Sequence, residues 1–343
     1  MAIMPEELPG EINEEILDPE LPICDPHHHL WEYPEYLSRP GSRYLLEDLL
    51  EDIKSGHNIT QTVFVECMSK YRQDGPQEMK PVGETEFVQG IAAQSASGLY
   101  GPTRVAAGIV AYADLTLGSG VAKLLEAHLE AGKNRFRGIR HSVSWDPSDS
   151  IPAYMNPPSG LLLDSKFREG FRFLQRYGLS FDAWLYHPQM PELVDLARIF
   201  PETQIILDHI GGVIGIGPYS GKREEVFQQW KKGISDLSAC PNVVVKLGGL
   251  GMPLSGFGWT ERKIHPNPTE LAESMSPYYH WCIEQFGVNR CMFESNFPVD
   301  KVSYSYGAMW NAFKRICRNF SAEEKAALFH DTAIRVYRLP SKP

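Results

Sequence analysis

The chain has 343 residues, enough to bury a large core, and its 43 acidic against 33 basic residues give a formal net charge of −10. That balance argues against a nucleic-acid or anionic-membrane surface, and no block of basic residues overrides it. No apolar run is long enough to cross a bilayer, residues 1–20 lack the charged-then-apolar pattern of a signal segment, and the six scattered cysteines without a C-x-x-C pair favour reduced thiols in a cytoplasm.

Residues 1–20 read as an acidic extension, and residues 21–343 as one domain. A short apolar strand over 21–25 runs into Asp25-Pro26-His27-His28-His29. Side chains two apart on a strand share a face, so His27 and His29 converge while His28 points away. Tyr44 to Lys54 repeats leucines at helical spacing. Gln61 to Cys67 is a β-branched second strand, followed by a long polar loop over 68–82 and a helix over 83–94. The third strand is Arg104 to Ala111, with a helix over 121–131. The fourth is Phe136 to His141, followed by a Pro/Ser-rich loop over 144–160. The helix over 167–177 carries an aromatic stripe, Phe167, Phe171, Phe173, Leu174 and Tyr177, expected to face the core.

The fifth strand spans 179–185, with a helix over 190–200. The sixth spans 204–209 and enters a glycine-rich loop. A helix over 224–237 leads to the seventh strand, 242–247. A helix over 268–286 leads to the eighth, 290–296. Two helices, 306–318 and 322–337, close the chain. Parallel strands need crossover connections, so eight strands each followed by a helix predict a closed α/β (β/α)8 TIM barrel. The alternative is an open doubly wound sheet. Against it, the first strand–helix turn lacks G-x-G-x-x-G, and Gly215-Ile216-Gly217 lacks the third glycine.

In such barrels the chemistry sits at the C-terminal strand ends. The residues there are His27 and His29, Glu66, Arg140 and His141, Asp182, Trp184 and Tyr186 with His187 beyond, Asp208 and His209, Lys246, and Glu294 and Asn296 with Asp300 in the next loop. Charged residues are seldom buried in strands without a role or a partner. One such residue is more often structural, but seven strands with polar residues at one end point to a functional cavity.

These strand ends resemble the amidohydrolase superfamily, amidohydrolase-2 branch. The resemblance rests on Asp25-x-His27-x-His29, Leu207-Asp208-His209-Ile210-Gly211 and Met292-Phe293-Glu294-Ser295-Asn296-Phe297-Pro298, and covers about residues 20–338. It is similar to 2-pyrone-4,6-dicarboxylate lactonase and the sugar lactonases of the L-fuconolactonase type. The resemblance implies a metal-dependent hydrolase with His27, His29 and His209 as candidate ligands for one divalent ion such as zinc, although some lactonases of the branch work without metal. It also implies that Arg140 and His141 face the substrate. Family hydrolases carry an aspartate where this chain has Asn296, and an amide cannot take a proton from water. Glu294 is then the first candidate for the base, with Asp300 and Asp208 after it. The structural reading of Glu294 is a buried partner for Arg140 or Lys246.

The expected reaction is hydrolysis of a lactone or related cyclic ester or amide, by water attack on a polarised carbonyl. The catalytic set is His27, His29, Arg140, His141, His209, Glu294 and Asn296. Glu66, Asp182, Tyr186, Lys246 and Asp300 are the substrate-binding set. The expected partner is a small molecule bearing carboxylate or hydroxyl groups, with no nucleic acid and no membrane, and a homo-oligomer is compatible with such barrels. The alternatives are a non-oxidative decarboxylase of the same superfamily and a binding protein on a decayed hydrolase barrel, whose only support is Asn296.

Overall fold

The computed structural model describes residues 14–32 and 42–340. Residues 1–13 of the expected extension lie outside them. Eight strands pair in sequence order: β1 (Ile23–His28), β2 (Ile59–Val65), β3 (Arg104–Ala111), β4 (Phe136–Arg140), β5 (Ser180–Ala183), β6 (Ile205–Leu207), β7 (Val243–Leu247) and β8 (Cys291–Phe293). Every neighbouring pair is parallel. The ring closes where His28 bridges Phe297, the His29 N–H donates to the Phe297 carbonyl at 2.8 Å, and the Asn296 N–H donates to the His27 carbonyl at 2.9 Å. The architecture is the expected (β/α)8 barrel.

The strands are buried on both faces, which is why they read as apolar runs such as Val243-Val244-Val245 and Ile205-Ile206-Leu207. Their outer faces pack against α1 (Leu46–Ile53), α2 (Val82–Ala96), α3 (Val121–Gly132), α4 (Ser165–Tyr177), α5 (Met190–Ile199), α6 (Arg223–Ser238), α7 (Pro268–Phe286) and α8 (Tyr306–Ile316). In α4 the Asp164 side chain accepts from the Phe167 N–H, and Gly178 in the left-handed region ends the helix. Phe167, Phe171 and Leu174 of its stripe are buried. Phe173 and Tyr177 are only partly covered, because a single helical face is too narrow for all five.

Two expectations change. The last helix divides into α9 (Ala322–Ala326), a π-helical turn over Ala327–Asp331 and α10 (Thr332–Val336). The wider turn lets the consecutive Leu328 and Phe329 both reach the core. The eighth strand stops at Phe293, not 296. Beyond it the chain leaves β7 and runs along β1, with the Ser295 N–H on the Asp25 carboxylate at 3.0 Å. Inside the barrel a second apolar cluster joins Val63, Val65, Val110, Ile206 and Val244 to Ala333, Val336 and Tyr337, so the chain's last helix plugs the N-terminal floor.

Candidate active site

The polar residues gather above that apolar floor, toward the C-terminal ends of the strands, and are almost wholly withdrawn from solvent. Their meeting depends on backbone as much as on alternation. His209 and Asn296 both adopt left-handed conformations, φ 53° and 55°, just past their strands. Asparagine tolerates that region, and histidine there is a local strain of the kind found at functional sites. Strict alternation would send Asp208 and His209 to opposite faces. The turn at His209 brings both into the same cluster. Gly249 permits this, since a Cβ on it would lie 2.4 Å from the His209 Cβ.

Glu294 is the hub on the β8 side. One oxygen accepts from the His209 backbone N–H at 3.0 Å and faces its Nδ1 at 2.7 Å, and the other lies 2.9 Å from His27 Nδ1. Burial opposes its ionisation, but His209 and His27 overcome that and hold its carboxyl down at about 2. A carboxylate that weakly basic, with one oxygen on both the backbone N–H and Nδ1 of His209, suits the orientation of His209 better than proton abstraction. The first expected candidate for the base thus lies against two imidazoles. Its partners are histidines, not Arg140 or Lys246.

The two cations are also spoken for. Arg140 donates from Nε to Glu66 Oε1 at 2.7 Å and from Nη2 to the Glu66 carbonyl at 2.6 Å, while Nη1 lies 3.3 Å from His27 Nε2. The second oxygen of Glu66 accepts from the Tyr154 hydroxyl at 3.1 Å. Lys246 Nζ sits 2.8 Å from Asp182 Oδ2, 3.0 Å from Asp208 Oδ1 and 3.0 Å from His27 Nδ1. Burial would neutralise this ammonium, but Asp182, Asp208 and Glu294 more than offset it and raise its pKa. Burial and the nearby Lys246 push His27 well below its usual range, against the pull of Glu294.

Asp300 stands apart from this network. Asn296 Nδ2 donates to Oδ1 at 2.8 Å, and the Tyr304 hydroxyl and Gly251 N–H donate to Oδ2 at 2.5 and 3.0 Å. Burial raises its pKa to about 6 despite these donors.

Ligand atoms of His27, Asp208 and His209 lie within 4.8 Å of one another. Neither Asp208 oxygen meets a well-aligned donor, although Lys246 lies 3.0 Å from one and Arg140 3.6 Å from the other. Two imidazoles and a carboxylate with unsatisfied lone pairs fit a divalent ion. The expected trio of histidines therefore changes, with Asp208 taking the place of His29. His29 is close, its ring centroid 4.9 Å from that of His27, and its Nδ1 is anchored on the Val65 carbonyl at 2.8 Å.

Two expected members lie elsewhere. His141 lies one residue past the end of β4 and turns outward. Its ring packs against Phe167 and Tyr112, and its Nδ1 accepts from the Leu115 N–H at 3.2 Å. Tyr186 packs with Trp184, Ile151 and Ile214, and its hydroxyl donates to the Pro152 carbonyl. It lies beyond Trp184, whose ring meets His209 at 4.9 Å. Of the expected substrate-binding set, Glu66, Asp182, Lys246 and Asp300 are fully buried: Asp182 and Lys246 pair with each other, Glu66 with Arg140 and Tyr154, and Asp300 with Asn296 and Tyr304. Tyr154, Tyr304 and Tyr337 have no signature in the strand pattern, because they come from loops and from the chain's last helix. The long Pro/Ser-rich loop that carries Tyr154 is the one available signal.

The y4mH protein of Sinorhizobium fredii, described as uncharacterized, is 38% identical over 93% of this chain and 99% of its own length. An L-fucono-1,5-lactonase from Burkholderia ambifaria is 26% identical over 78% of this chain and 87% of its own. The crystal structure of an amidohydrolase from Burkholderia multivorans with bound zinc shares the fold, with a TM-score of 0.70, 24% identity, and coverage of 93% of this chain and 99% of that one. Among the described residues no helix is long and apolar enough to cross a membrane. The Amidohydrolase family model (Amidohydro_2) matches residues 24–339, and the chain belongs to that family.

Proposed function

We propose that the chain hydrolyses a lactone or a related cyclic ester. The observation that carries this reading is the convergence of His27, Asp208 and His209 beside two buried cations at the strand ends. The lactonase among its relatives supports the substrate class. His27, Asp208 and His209 would hold a divalent ion, which when bound supplies Lewis acidity toward the carbonyl.

The chain's own groups do the rest. Arg140 and Lys246 place fixed positive charge beside the carbonyl oxygen, where it stabilises negative charge as it develops. Asp300 accepts the proton of the attacking water and returns it to the alkoxide leaving with the opened ring. Its pKa of about 6 keeps it ionised at neutral pH yet basic enough for that task. Asn296 holds the Asp300 carboxylate in place, in the position where relatives of this kind carry the base themselves. Arg140 is locked by Glu66, and Lys246 by Asp182 and Asp208, so neither is left to pair with a substrate carboxylate. That favours a neutral, hydroxyl-bearing lactone over a dicarboxylate.

The test is a panel of sugar, pyrone and muconate lactones followed by proton release, with and without added zinc. Turnover of a neutral sugar lactone is the expected result. No turnover of any member by folded protein would overturn the reading. Carbon dioxide release from an aromatic carboxylate would assign a decarboxylase instead.

A further inference from the structure

We infer that Tyr337, directly after the helix that plugs the barrel floor, is a positioning residue for Lys246 and through it for Asp208. The inference deepens the proposed function and rests on it for its kinetic consequence only.

Tyr337 follows α10 directly and is fully buried in the apolar cluster inside the barrel. From there its hydroxyl donates to Asp182 Oδ2 at 2.6 Å. The same oxygen accepts from Lys246 Nζ at 2.8 Å, and that ammonium lies 3.0 Å from Asp208 Oδ1. A line of four groups thus runs from the closed floor to the candidate metal ligand. The Lys246 ammonium also lies 5.5 Å from the Tyr337 ring centroid, so the ring supports the charge that the hydroxyl helps to place.

The geometry gives the hydroxyl a specific task. An ammonium has three N–H donors, and Lys246 faces three acceptors: Asp182, Asp208 and His27 Nδ1. Its position is therefore a balance between the carboxylate below and the two groups above. Asp182 Oδ1 has no partner, so both donors to Asp182 act on one oxygen. With the tyrosine hydroxyl present, Asp182 is shared and its hold on Lys246 is moderated. Without it, Asp182 Oδ2 has Lys246 as its one remaining donor, and the ammonium is drawn toward the floor and away from Asp208. An apolar barrel floor needs no hydroxyl at this point, and phenylalanine would fill the same space.

The experiment is Tyr337→Phe in the full chain, with Leu339→Ala as a packing control on the same segment. The first readout is the side-chain ammonium signal of Lys246 in 15N-lysine NMR, assigned by its loss in Lys246→Met. The expected result is a shifted, faster-exchanging signal in Tyr337→Phe and an unchanged one in Leu339→Ala. The second readout is kinetic: kcat falls about tenfold, the scale of one lost buried hydrogen bond, with KM little changed. In an Asp182→Asn background, Tyr337→Phe should add little further effect. An unmoved Lys246 signal in Tyr337→Phe, or an equal shift in Leu339→Ala, overturns the inference. The NMR readout needs no substrate, so it decides the role of Tyr337 whether or not a lactone is turned over.

Discussion

In the proposed reaction, Asp300 and Glu294 divide two tasks that a single carboxylate often combines. Asp300 is poised near 6 by burial, while Glu294 is held near 2 by two histidines against the pull of burial. Asp300→Asn should lower kcat by about 10² to 10⁴, the usual contribution of a general base. In the wild type, kcat should fall as pH drops through about 6, because Asp300 must be ionised to accept a proton. A wild-type rate in Asp300→Asn would remove it from the mechanism. Glu294→Gln keeps the shape but loses the charge that fixes His209. Such outer partners of a metal ligand typically matter by about 10- to 100-fold in activity or metal affinity, so a loss in that range is expected, read by steady-state kinetics and zinc titration. If Glu294 were only a structural group, the variant would melt earlier while its folded fraction kept full turnover.

At the scale of elements, the site is assembled by loops that follow strands. The β7 loop approaches the β6 and β8 ends so closely that only glycine fits. A Cβ on Gly248 would lie 2.3 Å from Glu294 Cγ, and Gly249 has φ 74° with His209 at 2.4 Å. Gly249→Ala should therefore combine backbone strain with displacement of His209. The expected result is a stability loss of about 1–3 kcal/mol by denaturant melt and a larger fractional loss of activity. An alanine variant with unchanged activity would show that His209 has room to move.

The whole molecule carries an unusual load of buried histidine. Burial lowers His28 from its ordinary value to about 3 and His128 and His141 to about 4. His28 instead meets the Thr62 hydroxyl at 2.8 Å, and His128 the Thr85 hydroxyl at 2.8 Å. A histidine kept neutral in the fold contributes stability that is present above its unfolded pKa of about 6.5 and lost as pH falls toward the folded value. Asp25, Asp182 and Asp300, each raised to about 6 with burial as the leading cause, act in the opposite sense. Their contribution is full below the unfolded value and is lost as pH rises through about 6. The histidines, which include His27 and His29, both lowered chiefly by burial, outnumber them. The melting temperature should fall steadily from about pH 7 to about pH 4.5. His128→Gln, which removes one such group away from the site, should flatten that fall, and an unchanged slope would refute the assignment.

The sequence by itself determined the barrel and its polar end. Strands buried on both faces must be apolar, and parallel neighbours must be joined by helices, so the alternation of runs such as Val243 to Leu247 with amphipathic helices such as α4 is a local record of the global fold. The same period placed His27, Arg140, Asp182 and Lys246 inside and made their strand ends worth attention. Tertiary structure decided what those residues do. Alternation holds only while the backbone stays extended, so the left-handed turns at His209 and Asn296 redirected side chains that spacing alone would have misplaced. It could not tell that Asp208 would join the candidate metal ligands, or that His141 would turn outward to Phe167. Nor could it pair groups distant in the chain, such as Tyr337 with Asp182. A carboxylate's partner, and so its pKa and its role, is set by distances across the barrel, which no spacing along one strand encodes.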